Sequence, residues 1–517
     1  MPDISLMGAV YPDVPAVTLP VDGGGTARFT DVSGTTATDS DVASGKVYFK
    51  ADGSQSTGTA SGGSANIQSL SVSQNGTYTA PTGVDGYSPV TVNVSGGGGA
   101  VAPKEVNLID YDGTVLHAYS VAEFQQLNAM PSNPSHTGLT AQGWNWSLTD
   151  AKAQLTAMPD AGLTIGQMYV TDDGKTRIYV HFEEGRCSPF LGICPKGTVT
   201  IDWGDGSATE TLTGTSLTTV KTALHNYQPG EYVIKLSVTG TDTFAIYGGS
   251  ASYSRLLQKT ASGTGTASRV YLNSIRKVEL GSGVSIGQYA FNYCGSMDSI
   301  TIPSGTSIGN YAFYYCFNLK SIVIPSGATT TGEYAFCYCQ TMLYIAIPKT
   351  VTSAAKSSFS NAVAIKAVSL PSGVTSIAQG GFNTVCSLSS IVIPSSVTSF
   401  GNSAFSGCFG LAVIRFLRTT APTVSNSNAW SSIPTDCLML VPYAGLASYL
   451  SASNYPAKAS YTYLGYATYA SGATLPTKDS TEAYNVTWYA SKDDAKAGTN
   501  AISTGNGSEI YCTYAAV

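Results

Sequence analysis

Phenylalanine returns at positions 291, 313, 336, 359, 382 and 405, at intervals of 22, 23, 23, 23 and 23 residues. The same apolar frame returns around each copy. Three residues on stand Cys294, Cys316, Cys339, Ala362, Val385 and Cys408; six on stand Met297, Leu319, Met342, Ile365, Leu388 and Leu411. Nine on come Ile300, Ile322, Ile345, Val368, Ile391 and Ile414, and eleven on come Ile302, Ile324, Ile347, Leu370, Ile393 and Phe416. A proline closes five of the six copies: Pro303, Pro325, Pro348, Pro371 and Pro394. The leading half of each unit (Ile286, Ala290, Phe291, Cys294 and Met297 in the first) has helical spacing and predicts one apolar helical face. The trailing half, Ile300-x-Ile302, alternates like a strand, and Pro303 stops it because proline brings no N–H to a ladder. One such unit cannot bury its own apolar edge, so the copies must stack into a solenoid with a parallel sheet along one side. Residues 270–285, with Leu272, Ile275, Val278 and Leu280, read as a partial unit capping one end, and Trp430 to Tyr463 as the other cap. Copy four loses the glycine and the aromatic residue before its Phe (Ala355-Lys356-Ser357-Ser358-Phe359), which predicts a local irregularity there.

Upstream the period changes to two. Val199, Ile201 and Trp203, a Gly-Asp-Gly turn, and then Tyr232, Ile234, Leu236 and Val238 predict the strands of a small β-sandwich. Asp202 and Asp205 suit the turn better than a calcium site, and His225 is expected to brace the Tyr227–Gly230 corner. Before this module, Val106-Leu108 and Val115-His117-Tyr119 flank a Tyr-Asp-Gly turn, and two short helical patterns follow, Ser120–Met130 and Ser147–Met158. Trp144 and Trp146 stand two apart; on a strand both rings share one face, either as a sugar-stacking platform or as packing for the second helical segment. The first hundred residues are short β segments joined by Gly and Ser, among them a hairpin around Asp52-Gly53, a second unit from Asn75 to Val94, and a flexible joint at Gly96–Gly99.

Composition narrows the function. The chain has 517 residues, too many for one core; Lys and Arg number 26 and Asp and Glu 32, a net charge of −6. Charged residues make up 11%, against roughly 25% in an average soluble protein, and no basic stripe is present, which argues against nucleic-acid binding. No stretch approaches the ~20 apolar residues that span a bilayer, so no membrane insertion is expected. No Lys or Arg precedes Arg28, and Asp3 and Asp13 interrupt the start, so no signal peptide is expected. Ten cysteines without a C-x-x-C pair make neither a disulfide-dense scaffold nor a zinc site, and Cys187 and Cys194 could be bridged or free. No metal and no cofactor is expected.

The frame x-A-F-x-x-C-x-x-L-x-x-I-x-I-P resembles the BspA-like leucine-rich repeats of bacterial surface proteins and of phage and prophage proteins. That resemblance implies adhesion and brings no catalytic residues. The DWGDG element and the His225–Val238 segment resemble PKD domains, Ig-like sandwiches of extracellular and phage structural proteins. The phrases GAVYPDVPAVTLP, DVASGKVYFKADGSQSTGT and NGTYTAPTGVDGYSPVTVNV resemble N-terminal regions of tail-associated phage proteins, and residues 466–517 resemble the small β-grasp-like repeats that accompany leucine-rich repeats. The expected fold is therefore multidomain and mainly β: an N-terminal virion-anchoring β region (1–65), a small β module and Gly linker (66–100), an α+β spacer (101–185), a PKD/Ig-like β-sandwich (186–250), a linker (251–269), an α/β BspA-like leucine-rich-repeat solenoid with caps (270–465) and a β-grasp-like terminal domain (466–517).

The candidate binding residues are two aromatic rows in the first three copies, Tyr289, Tyr311 and Tyr334 before the Phe and Tyr293, Tyr315 and Tyr338 after it, together with Trp144 and Trp146. Stacked units bring each row into a ladder, either as rung-to-rung packing or as a platform for saccharide. The outward strand positions, from Ser299 and Thr301 to Val413 and Arg415, are small and nearly uncharged; such a sheet face suits a neutral surface such as glycan, or another copy of the chain. Residues 286–416 of the solenoid offer only Asp298 and Glu333 as carboxylates, and Asp172, Asp173, Glu183 and Glu184 cluster outside it, a poor basis for glycoside cleavage. The reading is a non-enzymatic structural adhesin of a phage virion, assembled in the host cytoplasm. Its N-terminal region would meet tail or baseplate proteins and its C-terminal half a host surface glycan or protein. The alternatives are a secreted bacterial surface adhesin and a polysaccharide-degrading tailspike. A homotrimer stays open, since fibres are often trimers, although the sequence holds no heptad seam.

Overall fold

The computed structural model describes residues 105–248, 254–261, 269–458 and 460–516, with eight short strands in the first hundred residues. Residues 1–97 form one compact unit and 98–517 another. In the first, antiparallel pairs join Ile4–Leu6 to Ala9–Tyr11, Ala16–Pro20 to Thr26–Thr30, Val47–Phe49 to Gln55–Thr57 and Gly76–Tyr78 to Val90–Val92. The expected Asp52-Gly53 turn and the Gly96–Gly99 joint lie outside the described residues.

In the second unit the repeats stack as expected, but as a β-solenoid. The helical half of each copy is a run of tight turns instead. A helix would return the Phe291 N–H to residue 287 of its own coil. Phe291 donates to Ala312 O of the next coil at 2.7 Å, while Ala290 and Asn292 close turns onto Gly287 O and Tyr289 O. Tyr289 and Tyr293 have φ of 59° and 66°, which no right-handed helix accommodates. Consecutive turns bring positions three and four apart to one side, as a helix does, which is why the spacing alone misled. The coil-to-coil bonds continue from Phe313 to Ala335, Phe336 to Ser358, Phe359 to Gly381, Phe382 to Ala404 and Phe405 to Ala429. They therefore cross Ala355–Phe359 intact, where an irregularity was expected. The irregularity of copy four falls on its strand, reduced to a bridge between Ala367 and Ser390.

Two parallel ladders complete each coil. One pairs Ser321–Val323 with Tyr344–Ala346, and Ser390–Ile393 with Val413–Phe416. The other joins Ser353–Ala354, Ser376–Ile377, Ser399–Phe400 and Thr423–Val424. Inside, Phe291, Phe313, Phe336, Phe359, Phe382 and Phe405 stack at 5.3, 5.5, 5.7, 5.5 and 5.7 Å, and Trp430 continues the column at 5.5 Å. The repeat cysteines complete the frame: Cys316, Cys339 and Cys408 donate their thiols to the carbonyls of Phe291, Phe313 and Phe382 in the coil before.

Upstream lies an open sheet of strands β1 (Glu105–Ile109), β2 (Val115–Ser120), β3 (Leu139–Trp144) and β4 (Leu163–Thr171) in the order β2-β1-β4-β3, with helices α1 (Val121–Gln126) and α2 (Leu148–Ala157). Ser120 and Glu123 form a capping box that starts α1. The β-structure after it begins earlier than expected, at β5 (Thr176–Phe182), and is built round β6 (Phe190–Asp202), whose ends belong to different sheets: Glu210–Thr215 pairs with one and Lys221–Leu224 with the other. Residues 254–261 are no linker, because Leu257–Gln258 pairs with β6 and Leu256 and Leu257 are fully buried. Strand β5 also pairs with Ile275–Glu279 of the solenoid's first cap, and Thr243–Ile246 pairs with Val284–Ile286. At the other end Thr462–Thr468 runs parallel to Leu438–Pro442 and antiparallel to Glu509–Ala516, so the sheet crosses the expected 465/466 boundary. One apolar core accordingly runs from Ile178 to Cys512.

Candidate functional site

Most of the sheet face that was expected to be free is covered by the chain itself; of its outward positions Ala367 is exposed and Tyr344, Ser390 and Val413 are half-buried. Ser299, Thr301, Ser321, Val323, Ala346, Ser369, Val392 and Arg415 are all buried. Strand β4 and its neighbours lie across the middle of the face: Val323 and Ala346 pack with Ile109 and Met168. Asn145 stands at the join and is buried. Its amide donates to Ile324 O and Ala346 O, both at 3.0 Å, and its Oδ1 accepts from Gly166 N–H at 2.9 Å. Gln154 on α2 donates to Leu370 O and accepts from Ser372 N–H, both at 2.9 Å. At Gly166 the two layers lie in close contact; a Cβ there would stand 2.6 Å from Val323 Cγ1 and 2.9 Å from Ala346 Cβ. At the far end Arg415 forks onto Glu509, pairs with Asp160 and lies 3.9 Å from the centre of the Tyr466 ring. Asn145, Gln154 and Gly166 carry no sequence pattern that marks them as joining residues; the only local hint is an uncharged amide between two tryptophans.

Trp144 and Trp146 do not form a platform. Strand β3 ends at Trp144, whose Nε1 donates to Pro131 O, and the chain then turns under. Trp146 is only 4% exposed, packs among Val106, Phe124 and Leu155, and donates to Ile347 O at 2.8 Å. It therefore joins the upstream sheet to the solenoid.

The six tyrosines are brought together as two ladders. Tyr289, Tyr311 and Tyr334 stack at 4.8 and 4.7 Å, and Tyr293, Tyr315 and Tyr338 at 4.7 and 4.5 Å. Tyr314 stands edge-on between them, 5.5 Å from Tyr311 and 4.5 Å from Tyr315. Burial raises the phenol pKa values of Tyr311 and Tyr338. All six carry positive φ, and later copies place Ser357, Asn361, Gly380, Thr384, Ser403 and Gly407 in the same conformation. A left-handed non-glycine residue costs roughly 1–2 kcal/mol, and an aromatic pair returns roughly 0.5–1.5 kcal/mol. Stacking thus offsets part of the strain, and it occupies the ring faces inside each row. Lys356 lies 5.7 Å from the centre of the Tyr334 ring and closes the end of its row. What the rows offer a ligand is edges and hydroxyls.

Three of the four clustered carboxylates, Asp172, Asp173 and Glu183, are spent on local pairs. Asp172 and Asp173 both bind Arg177, and Glu183 binds Arg186. Asp205 accepts from Ser207 N–H and lies 2.7 Å from His225 Nε2, whose ring stacks on Trp203 at 4.5 Å. The His225 bond, aided by Ser207, holds the Asp205 carboxyl well below its usual range. His225 therefore braces the Asp205 turn, while Tyr227 reaches the same turn by donating to Trp203 O. Among the described residues no three His, Cys, Asp or Glu side chains group as a metal site, and no helix is long and apolar enough to cross a membrane.

All ten cysteines are unbridged, Cys187 and Cys194 included. Burial pushes the thiols of Cys408, Cys437 and Cys512 up to about 12 and that of Cys194 to about 11. Because the thiolate is the reactive form, a disulfide reagent at neutral pH is expected to modify only the partly exposed Cys187 and Cys386 in the native protein, and the rest after unfolding. Rapid native modification of Cys316 or Cys339, read by peptide mapping, would contradict this packing.

Residues 284–412 match the family model of the BspA type leucine rich repeat region, in six copies. The solenoid is thus built of BspA-type repeats. Similar solved structures include a leucine-rich repeat protein from T. pallidum, at 22% identity and a TM-score of 0.25 over 33% of this chain and 82% of that one. Another, from Bacteroides ovatus, is 19% identical with a TM-score of 0.29, covering 47% of this chain and 70% of that one. A leucine rich cell surface protein from Faecalibacterium prausnitzii is 19% identical with a TM-score of 0.25, over 40% and 69%. No curated protein matches the chain.

Proposed function

We propose that this protein is a non-enzymatic adhesin that holds a rigid β-solenoid against a cell surface, with glycan as the class of ligand. The observation that carries the reading is the unbroken column from Phe291 to Trp430 inside a core shared with both flanking modules. Such a body has little freedom to close around a substrate and suits presentation. The BspA-type repeats favour a bacterial surface adhesin. A second reading, attachment by a phage tail fibre or receptor-binding protein, rests on the N-terminal phrases and on the PKD-like DWGDG element. The two differ in what is bound. The labelled protein is expected to coat eukaryotic cells as a bacterial adhesin, and intact bacteria as a phage protein. Coating of none of these surfaces would refute adhesion in either form. Release of reducing ends from a bacterial capsule would refute the non-enzymatic part.

A further inference from the structure

Position four after the repeat phenylalanine carries a side chain in five copies, Phe317, Gln340, Val363, Cys386 and Phe409, and none in the first, where it is Gly295. The gap leaves an open depression of about 570 Å³, lined by Asn273, Tyr293, Ser296, Tyr315, Phe317 and Asn318 beside Gly295 itself. Its edges are close: a Cβ on Gly295 would stand 3.1 Å from Asn273 Oδ1 and 3.3 Å from Phe317 Cδ2. Phe317 is 37% exposed, whereas the rings of the internal column are fully covered, and it leans on Tyr315 with centroids 5.3 Å apart. The Gly295 N–H donates to Asn273 Oδ1 and its carbonyl accepts from Asn318 N–H, so the backbone holds both amide residues at the rim.

We infer that this depression binds one unit of a neutral saccharide, with the apolar face of the sugar ring on Phe317 and its hydroxyls on the amides of Asn273 and Asn318. A hexose pairs an apolar C–H face with a girdle of hydroxyls, and an aromatic ring bordered by a few polar groups is its complement. The lining carries no Asp, Glu, Lys or Arg. Charge enters only in the neighbouring hollow, where Arg276 and Lys320 stand with Asp298. The proposal deepens the adhesive reading and rests on it: it moves recognition from the tyrosine faces, which stacking occupies, to one glycine-made gap at the start of the ladder.

The test uses the full chain against immobilised neutral hexose oligomers (glucan, galactan and mannan) and one uronic-acid oligomer. Binding to at least one neutral oligomer is expected, weakened about tenfold by Phe317→Ala, in line with loss of one aromatic contact. Gly295→Gln, which installs the side chain that copy three carries, is expected to abolish binding with unchanged thermal unfolding. Lys320→Gln is expected to bind as the parent does. Binding of the uronic-acid oligomer alone, equal binding by Gly295→Gln, or no binding to any oligomer would each overturn the proposal. Should Gly295→Gln still coat cells as the parent does, adhesion stands and this site falls; should neither coat cells, the adhesive reading fails first.

Discussion

Phe336→Ala is expected to destabilise the unit of residues 98–517 by about 3–5 kcal/mol, the usual cost of removing a fully buried phenylalanine ring. Phe336 sits mid-column, 5.5 Å from Phe313 and 5.7 Å from Phe359, and is fully buried. Removing it opens a hole bounded by two rings whose backbones are pinned by coil-to-coil bonds, Phe313 to Ala335 and Phe359 to Gly381, so neighbours can collapse only in part. In a stacked repeat each unit is stabilised through its neighbours, so both adjoining interfaces weaken together. Urea unfolding measures the loss. A change under about 1 kcal/mol, within the range of ordinary surface substitutions and their scatter, would mean that the column is not what couples the coils.

Gly166→Val is expected to lift strand β4 off the solenoid while leaving the repeats folded. The new side chain would enter space held by Val323 and Ala346, each part of a strand that cannot retreat without breaking its own ladder. Overpacking of this kind costs typically about 1–3 kcal/mol. Displacement also strands the hydrogen bonds of Asn145, at about 1–3 kcal/mol for each buried group left unpaired. Hydrogen exchange read by mass spectrometry should show faster exchange over residues 105–171 and over 321–324 and 344–347, with the Phe column still protected. Uniform protection in both regions would show that the close approach at Gly166 does not hold the two layers together.

The repeat was legible because it is a local pattern written six times. Each Phe, Cys and Ile in the frame faces the same surroundings in the next coil, so spacing alone specified stacking, register and core. The same spacing was ambiguous about backbone conformation, since turns and helices share steps of three and four; Asn361, Gly380 and Gly407, residue types at home at positive φ, stood in the Tyr row of the later copies as the hint. The tyrosine rows were likewise legible as ladders. Whether their faces were open was not, because that depends on how near successive coils come.

Where the sheet face goes was decided by tertiary structure alone. Asn145 meets Ile324 and Ala346 across 179 and 201 residues, and Gln154 meets Leu370 across 216. Those bonds end on backbone carbonyls, which every residue possesses, so neither partner leaves a mark in its own neighbourhood of the sequence. Small, uncharged outward positions such as Ser321 and Ala346 are what either a ligand face or a covered face requires. Only the fold brings Gly166 against them and turns an expected binding surface into the interior, because the free energy of that docking comes from contacts between segments too distant to share a period.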